Sequence, residues 1–184
     1  SFDVGPGNCL LDEWVRRHTQ MKYDENGKAS NTGKTSEVIL NQAIDNFDNI
    51  SNQKKLSFDI KDFDLSFVKG LSYEDGLSTL VDFAAIIIHQ SILKSIKTKE
   101  NEKLLIIVCG GGRKNLSLMD SIRKRLPKNI SLKIIDDYKI DGDFIESQAF
   151  AYLAIRSALK KKISYPNTTG VKESCVGGIL VKNY

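Results

Sequence analysis

The sequence predicts one α/β layered domain, and three observations carry that prediction. Lys103-Leu104-Leu105-Ile106-Ile107-Val108-Cys109 is a continuous apolar run of strand length, the pattern of a strand covered on both faces in a parallel sheet. The run ends in Gly110-Gly111-Gly112 and passes into a helical pattern, after which Leu132-Lys133-Ile134-Ile135 reads as a second short strand. The order strand–helix–strand–helix, with right-handed crossovers as the default, layers helices on a sheet. A length of 184 residues fits a single domain, residues 1–184, with no internal repeat, linker or low-complexity segment.

Each element has its own signal. Ser1-Phe2-Asp3-Val4 is a short apolar piece that delivers a carboxylate to its end, and Gly5-Pro6-Gly7 then turns the chain. Asn8 is placed to cap a helix over residues 8–18, where Leu10, Leu11, Trp14 and Val15 recur at helical spacing. Residues 19–35 are polar and read as a loop carrying Lys22-Tyr23-Asp24. A second helix over 36–48 sets Val38, Ile39, Ala43, Ile44 and Phe47 on one face. Residues 49–72 read as irregular, anchored by Phe58, Phe63, Leu65 and Phe67; a stretch of that length is often functional or packs over a site. A third helix runs from about Glu74 to Ile96, with Leu77, Leu80, Val81, Ala84, Ile88 and Ile92 at three- and four-residue spacing. After the glycines come a helix from about Asn115 to Leu126, a long helix over 143–161, and a final strand at Val176–Val181.

Composition narrows the function classes. The net charge is +4 and the basic residues are scattered; the densest run, Lys160-Lys161-Lys162, sits near a helix end, where it suits the dipole without a nucleic-acid partner. No apolar run reaches membrane-spanning length, and the most apolar helix carries Asp82 and His89 and so reads as a core helix. Cys9, Cys109 and Cys175 are far apart and fit no metal spacing. They read as three reduced, buried thiols of a cytoplasmic protein, with no metal site among them. His18 reads as a helix-surface residue and His89 as a helix-interior one.

Four constellations could carry chemistry. Asp3 with Gly5, Gly7 and Asn8 is either a base or metal-proximal acid beside a phosphate-accepting turn, or a strand-end aspartate satisfied by its own turn. Gly110, Gly111 and Gly112 followed by Asn115 let a ligand lie on the backbone at a helix start, although neither a dinucleotide fingerprint nor a P-loop is present. Asp143 and Glu146 suit a capping arrangement, or Glu146 faces a cleft and bonds a substrate hydroxyl. Thr168-Thr169-Gly170 and Gly177-Gly178 read as a turn and a bulged strand.

These motifs together resemble one family. Phe2-Asp3-Val4-Gly5-Pro6-Gly7-Asn8 with Leu11-Asp12-Glu13-Trp14 is similar to the "(F/Y)DTGPGN…(L/M)(I/M)DAW" segment of anhydro-N-acetylmuramic acid kinases. Lys22-Tyr23-Asp24-Glu25-Asn26-Gly27 resembles their "KPYD.(D/N)G", and Leu71-Ser72-Tyr73-Glu74-Asp75-Gly76 resembles "LS.EDG.ATL". Val108-Cys109-Gly110-Gly111-Gly112 with Asn115 and Leu118-Met119 resembles "VCGGG..N..LM". Gly142-Asp143, Glu146 and the run 149–154 resemble "GD.(M/L)EA.AFAWLA", and Thr169-Gly170 fits the closing "(V/T)TGA". The matches follow the family's order and cover nearly the whole chain. Val4 departs from the usual Thr, and Ser147-Gln148 replaces part of a small apolar stretch.

The resemblance implies a ribonuclease-H-like α/β domain of the sugar-kinase, Hsp70 and actin superfamily. It implies the C-terminal, nucleotide-binding half of a two-domain kinase, lacking its own first strands. The N-terminal domain, with a "GTMSGTSLDG"-type phosphate loop, is expected as a separate part, and the start on Ser1 rather than methionine agrees with a piece of something longer. The implied reaction uses ATP, Mg²⁺ and water to open the 1,6-anhydro ring of anhydro-N-acetylmuramic acid. Phosphorylation of O6 gives N-acetylmuramic acid 6-phosphate in cell-wall recycling. Asp3 matches the catalytic base. Gly5, Gly7, Asn8, Gly110, Gly111, Gly112 and Asn115 match the nucleotide side, and Glu146 the sugar side. The alternatives are a split-gene product or binding module with the same fold, and a superfamily kinase or ATPase with another acceptor. Nucleic acid and membrane are not implied as partners, and a homodimer stays open.

Overall fold

The structure, a computed structural model, describes residues 3–53, 57–96 and 102–181. Ser1 and Phe2, the start of the expected apolar piece, lie outside them; Val4 is in no strand. The described elements are α1 (Cys9–His18), α2 (Glu37–Gln53), α3 (Tyr73–Ser95), β1 (Leu104–Val108), α4 (Leu116–Arg125), β2 (Ile130–Ile134), α5 (Ile145–Ala158) and the single turn α6 (Pro166–Thr169).

The core is organised around α3. The Ser72 hydroxyl accepts the Asp75 N–H at 3.2 Å and starts the helix. Residues Thr79, Leu80, Val81, Phe83, Ala84 and Ala85 are all buried, too many in succession for a single stripe. The helix is packed by α1, α2 and α4 instead of facing solvent on one side. Gly76 lets α1 approach: a Cβ there would stand 2.6 Å from the Trp14 ring, whose Nε1–H donates to the Tyr73 carbonyl at 3.0 Å. Phe47 of α2 joins Phe58, Phe63 and Phe83 in an aromatic cluster that pins down the 57–72 stretch.

By length and mean hydropathy α3 is long and apolar enough to cross a membrane, which corrects the reading that no run here reaches that length. In this fold it is a core helix, and its one mid-helix carboxylate is fully engaged. Asp82 accepts from Thr35 Oγ1 at 2.6 Å, Ser121 Oγ at 2.5 Å and Arg125 Nη2 at 2.8 Å, tying α3 to α4 and to the loop before α2.

β1 and β2 pair in parallel from Leu104↔Ile130 to Val108↔Ile134, with α4 as the connection, so the β–α–β order holds. The expectation of a strand covered on both faces does not: Leu105 and Ile107 are 46% and 45% exposed. One face of the pair meets the helices, and the described residues offer nothing to cover the other. For the same reason α5 buries none of its residues. The final strand over 176–181 is absent. Among the described residues Ser164 and Cys175 alone form an isolated antiparallel bridge, and Ile179 is 91% exposed. Val38, placed on the core face of α2 by its spacing, is 80% exposed, because the core side of α2 is built from Leu40, Ala43 and Phe47. The cysteines are also corrected: Cys9 is half-buried, and Cys109 and Cys175 are exposed.

Leu80→Ala removes a fully buried side chain and should lower the unfolding free energy by about 2–5 kcal/mol. Val38→Ala should change it by less than about 0.5 kcal/mol. Urea unfolding of the two variants measures both, and equal effects would contradict this placement of the core.

Candidate functional site

Three segments distant in sequence meet at one cavity of about 330 Å³. The start of α1 supplies Asn8 and Asp12, the loop 23–26 supplies Tyr23 through Asn26, and the turn after β1 supplies Gly111, Lys114 and Asn115. β1 positions the last group. The chain leaves the strand through Gly110, at φ +78° and ψ 177°, makes a tight helical turn over Gly111–Lys114, and enters α4. A side chain at position 110 would resist that φ, which explains one of the three glycines. Asn115 caps α4, its Oδ1 accepting the Leu118 N–H at 3.0 Å, so the amide NH₂ is its remaining hydrogen-bonding group.

The predicted residues divide. Asn8, Gly111 and Asn115 share the cavity wall, and Gly112 lies beside it: a Cβ there would stand 3.9 Å from Asn8 Oδ1. The expected side-chain cap by Asn8 is not made. Its carbonyl accepts the Asp12 N–H at 2.9 Å, while its buried Oδ1 meets no donor among the described residues. Gly7 takes φ +52° at the turn. Gly5 has a packing reason instead, since a Cβ would come within 2.6 Å of Ile87. Asp3 and Glu146 are exposed and are not among the cavity's lining residues. Asp3 is nevertheless held. Its N–H donates to Ser57 Oγ at 2.6 Å, the same hydroxyl donates to its Oδ2 at 2.8 Å, and the Phe58 N–H reaches its carbonyl at 3.0 Å. The long irregular stretch therefore does reach a candidate residue, through Ser57, which no sequence motif singles out.

The family profile described as "Anhydro-N-acetylmuramic acid kinase" matches residues 1–183. The chain belongs to that kinase family. It is 90% identical over all 184 residues to the anhydro-N-acetylmuramic acid kinase of Pelagibacter ubique (strain HTCC1062), covering 49% of that protein. Against the Zymomonas mobilis kinase it is 35% identical, covering 96% of this chain and 46% of the relative. The Caulobacter vibrioides kinase is 37% identical over 98% of this chain and 47% of its own length. The chain thus spans about half the length of the curated relatives it matches. Family membership gives the α/β domain of a kinase family; the described β–α–β unit and its helices are consistent with it.

Two further carboxylates shape this cavity. Asp24, which the sequence places in a polar loop, is buried: its carboxylate accepts the N–H groups of Ala29 at 2.9 Å and Ser30 at 3.0 Å and stiffens the cavity's second wall. Asp12 is half-buried at the wall; burial raises its carboxyl above the usual range, and Arg16 opposes the shift. Asp143 does not cap α5, whose N-cap is Phe144 with no side-chain bond. Asp143 binds Lys114 and Arg113 instead. Thr168 and Thr169 lie in α6, closed by Gly170 at φ +72°, and Gly178 takes φ +86° outside any strand. His18 is exposed, but its ring lies tilted against Trp14, with ring centroids 3.9 Å apart.

Among the described residues no three His, Cys, Asp or Glu side chains gather as a cation cage. Mg²⁺ commonly keeps several waters and binds through one or two carboxylates plus substrate phosphates. Asp12 and Glu25 are the cavity carboxylates left for such an ion, because Asp24 is committed to the backbone.

Arg113 holds the Asp136 carboxyl down at about 2, and Lys114, followed by Arg113, lowers Asp143. Both folded values lie below the ordinary 3.8. The contribution of these pairs is therefore complete above about pH 4 and lost as pH falls toward 2. An NMR titration of the Asp136 carboxyl carbon should find its midpoint well below 3.8. Arg113→Lys, which cannot form the two-pronged pair, should move that midpoint upward.

Proposed function

We propose that this chain is the nucleotide-binding domain of an anhydro-N-acetylmuramic acid kinase, and that the cavity between Asn8, the 23–26 loop and Gly111 takes ATP. The observation that carries this reading is the convergence of three family motifs on one cavity wall: "GPGN" through Asn8, "KPYD" through Tyr23 and Asp24, and "GGG..N" through Gly111 and Asn115. Phosphoryl transfer is mainly a matter of positioning and charge neutralisation, so a cavity framed by backbone turns and a lysine suits it. Mg²⁺ would neutralise phosphate charge there.

Asp3 is the proposed base. Its carboxylate takes a proton from water as the water oxygen bonds to the anomeric carbon. The bond from that carbon to the bridging O6 breaks, O6 attacks the γ-phosphorus, and ADP leaves. Ser57 keeps one carboxylate oxygen hydrogen-bonded and oriented, and the other oxygen accepts no hydrogen bond from the described residues, which leaves it to meet water. Glu146, exposed in the first turn of α5, is the proposed contact to the sugar. The half-length span of the relatives favours a second feature of the same reading: this chain alone binds nucleotide but does not turn over.

Two measurements test the proposal. The 184-residue chain should bind MgATP by calorimetry and release no sugar-dependent ADP. Joined to the part of the Pelagibacter ubique kinase that it does not span, it should phosphorylate the anhydro sugar. In that joined protein Asp3→Asn should lower kcat by about 10²–10⁴-fold with the KM for ATP nearly unchanged. Normal turnover by the Asn variant would remove Asp3 from the role of base.

A further inference from the structure

Arg113 is the hub of a cluster of charged side chains, and none of the sequence motifs assigns it a role. Its side chain is 4% exposed, although it belongs to a surface turn. Nε and Nη2 form a two-pronged pair with Asp136 at 2.6 and 2.9 Å. Nη1 donates to Asp143 Oδ1 at 2.6 Å and to the Gly110 carbonyl at 3.0 Å, and Asp141 lies 3.7 Å from Nη2. The opposite edge of Asp143 is taken by Lys114. Gly142 lies against the guanidinium so closely that a Cβ would stand 2.3 Å from Nε.

These contacts join two connections that the strands keep separate. The N–H of Gly110 bridges the turn after β1 to the segment after β2, donating to the Gly142 carbonyl at 3.1 Å. Its carbonyl accepts the Arg113 side chain at 3.0 Å and the Arg113 backbone N–H at 3.3 Å, and Arg113 in turn holds Asp136 and Asp143 of that segment. Gly110 has no side chain through which packing could fix it, and it sits in a region of backbone space that glycine enters freely. Its conformation is therefore set from outside, by the Gly142 carbonyl and the Arg113 fork. A planar guanidinium with five donors can serve two carboxylates and a carbonyl at once; an ammonium cannot match that geometry.

We propose that Arg113 is a positioning residue for the cavity: by clamping Gly110 to the segment after β2, it fixes where Gly111, the next residue and part of the cavity wall, stands. This rests on the reading that the cavity takes a nucleotide. The aspartates it gathers keep the guanidinium from serving as a ligand itself, since four of its five N–H donors are already hydrogen-bonded and its side chain is buried. The role passes through the backbone of Gly110 and involves no contact with the nucleotide.

The test uses the 184-residue chain and three readouts: amide hydrogen exchange at Gly110 without ligand, MgATP affinity by calorimetry well below the melting temperature, and exchange of the α3 amides as an internal control. Arg113→Lys keeps a charge among the aspartates and should leave the α3 amides unchanged. It should speed Gly110 exchange and weaken MgATP binding, each by about tenfold, the scale of one lost charge-assisted hydrogen bond. Asp136→Asn leaves the bonds to Asp143 and Gly110 in place and should move both quantities in the same direction by less. Unchanged Gly110 exchange in Arg113→Lys overturns the clamp. Faster exchange with unchanged MgATP affinity overturns the positioning role. A chain with Arg113 intact that binds no MgATP counts against the nucleotide reading, whereas the exchange at Gly110, measured without ligand, still decides whether the clamp exists.

Discussion

The burial of α3 on several sides is the constraint on which the rest of this chain depends. A helix with nine of the twelve residues from Gly76 to Ile87 buried must be enclosed, and α1, α2 and α4 do this. Burying each Leu or Phe side chain is worth about 1.5–3 kcal/mol, so the strongest driving force in the chain is concentrated around this helix. The site inherits its geometry from that enclosure. α1 begins at the turn bearing Asn8, α4 begins at the turn bearing Gly111, and both are set against α3. Asp82 then fixes the relative position of α3 and α4 with polar contacts that leave its carboxylate satisfied.

The cavity walls show how a glycine-rich surface is made orderly. Flexible backbone is useful where a ligand approaches closely, but every such residue loses more freedom on folding than others do. Here the order comes from carboxylates and one guanidinium. Asp24 accepts two N–H groups of its own loop, and Arg113 gathers the two connections beyond the strands.

Helical periodicity made α1, α3 and α4 legible. Apolar residues recurring every 3.6 positions, as in Leu10, Leu11, Trp14 and Val15 or in Leu77, Leu80, Val81 and Ala84, line up on one side of a helix and of no other regular backbone. The order of short motifs made the family legible, and the profile match agrees. What stayed hidden was of two kinds. Val38 and the 176–181 run are apolar by composition, but composition does not say whether a neighbour exists to cover them. Leu105 and Ile107 show the same limit, since a continuous apolar strand meets the described helices on one face only. The second kind is pairing at a distance. Arg113 finds Asp136 and Asp143 across 23 and 30 residues, and Asp3 finds Ser57 across 54, separations at which a local pattern carries no trace. The capping readings of Asn8 and Asp143 failed for that reason: each satisfies the local rule, but tertiary geometry leaves one without a donor and gives the other to Arg113 and Lys114.

Trp14 gives the chain a built-in fluorophore. It is the sole tryptophan, it is buried against Gly76, and its indole N–H is tied to the Tyr73 carbonyl with the His18 ring tilted against it. Its emission therefore comes from one dry, polar-tethered environment, without a second tryptophan to blur it. The helix that carries it also carries Asp12, and it starts immediately after Asn8. A change in how the cavity's first wall rests on α3 would thus be read out directly in the colour and quenching of a single indole.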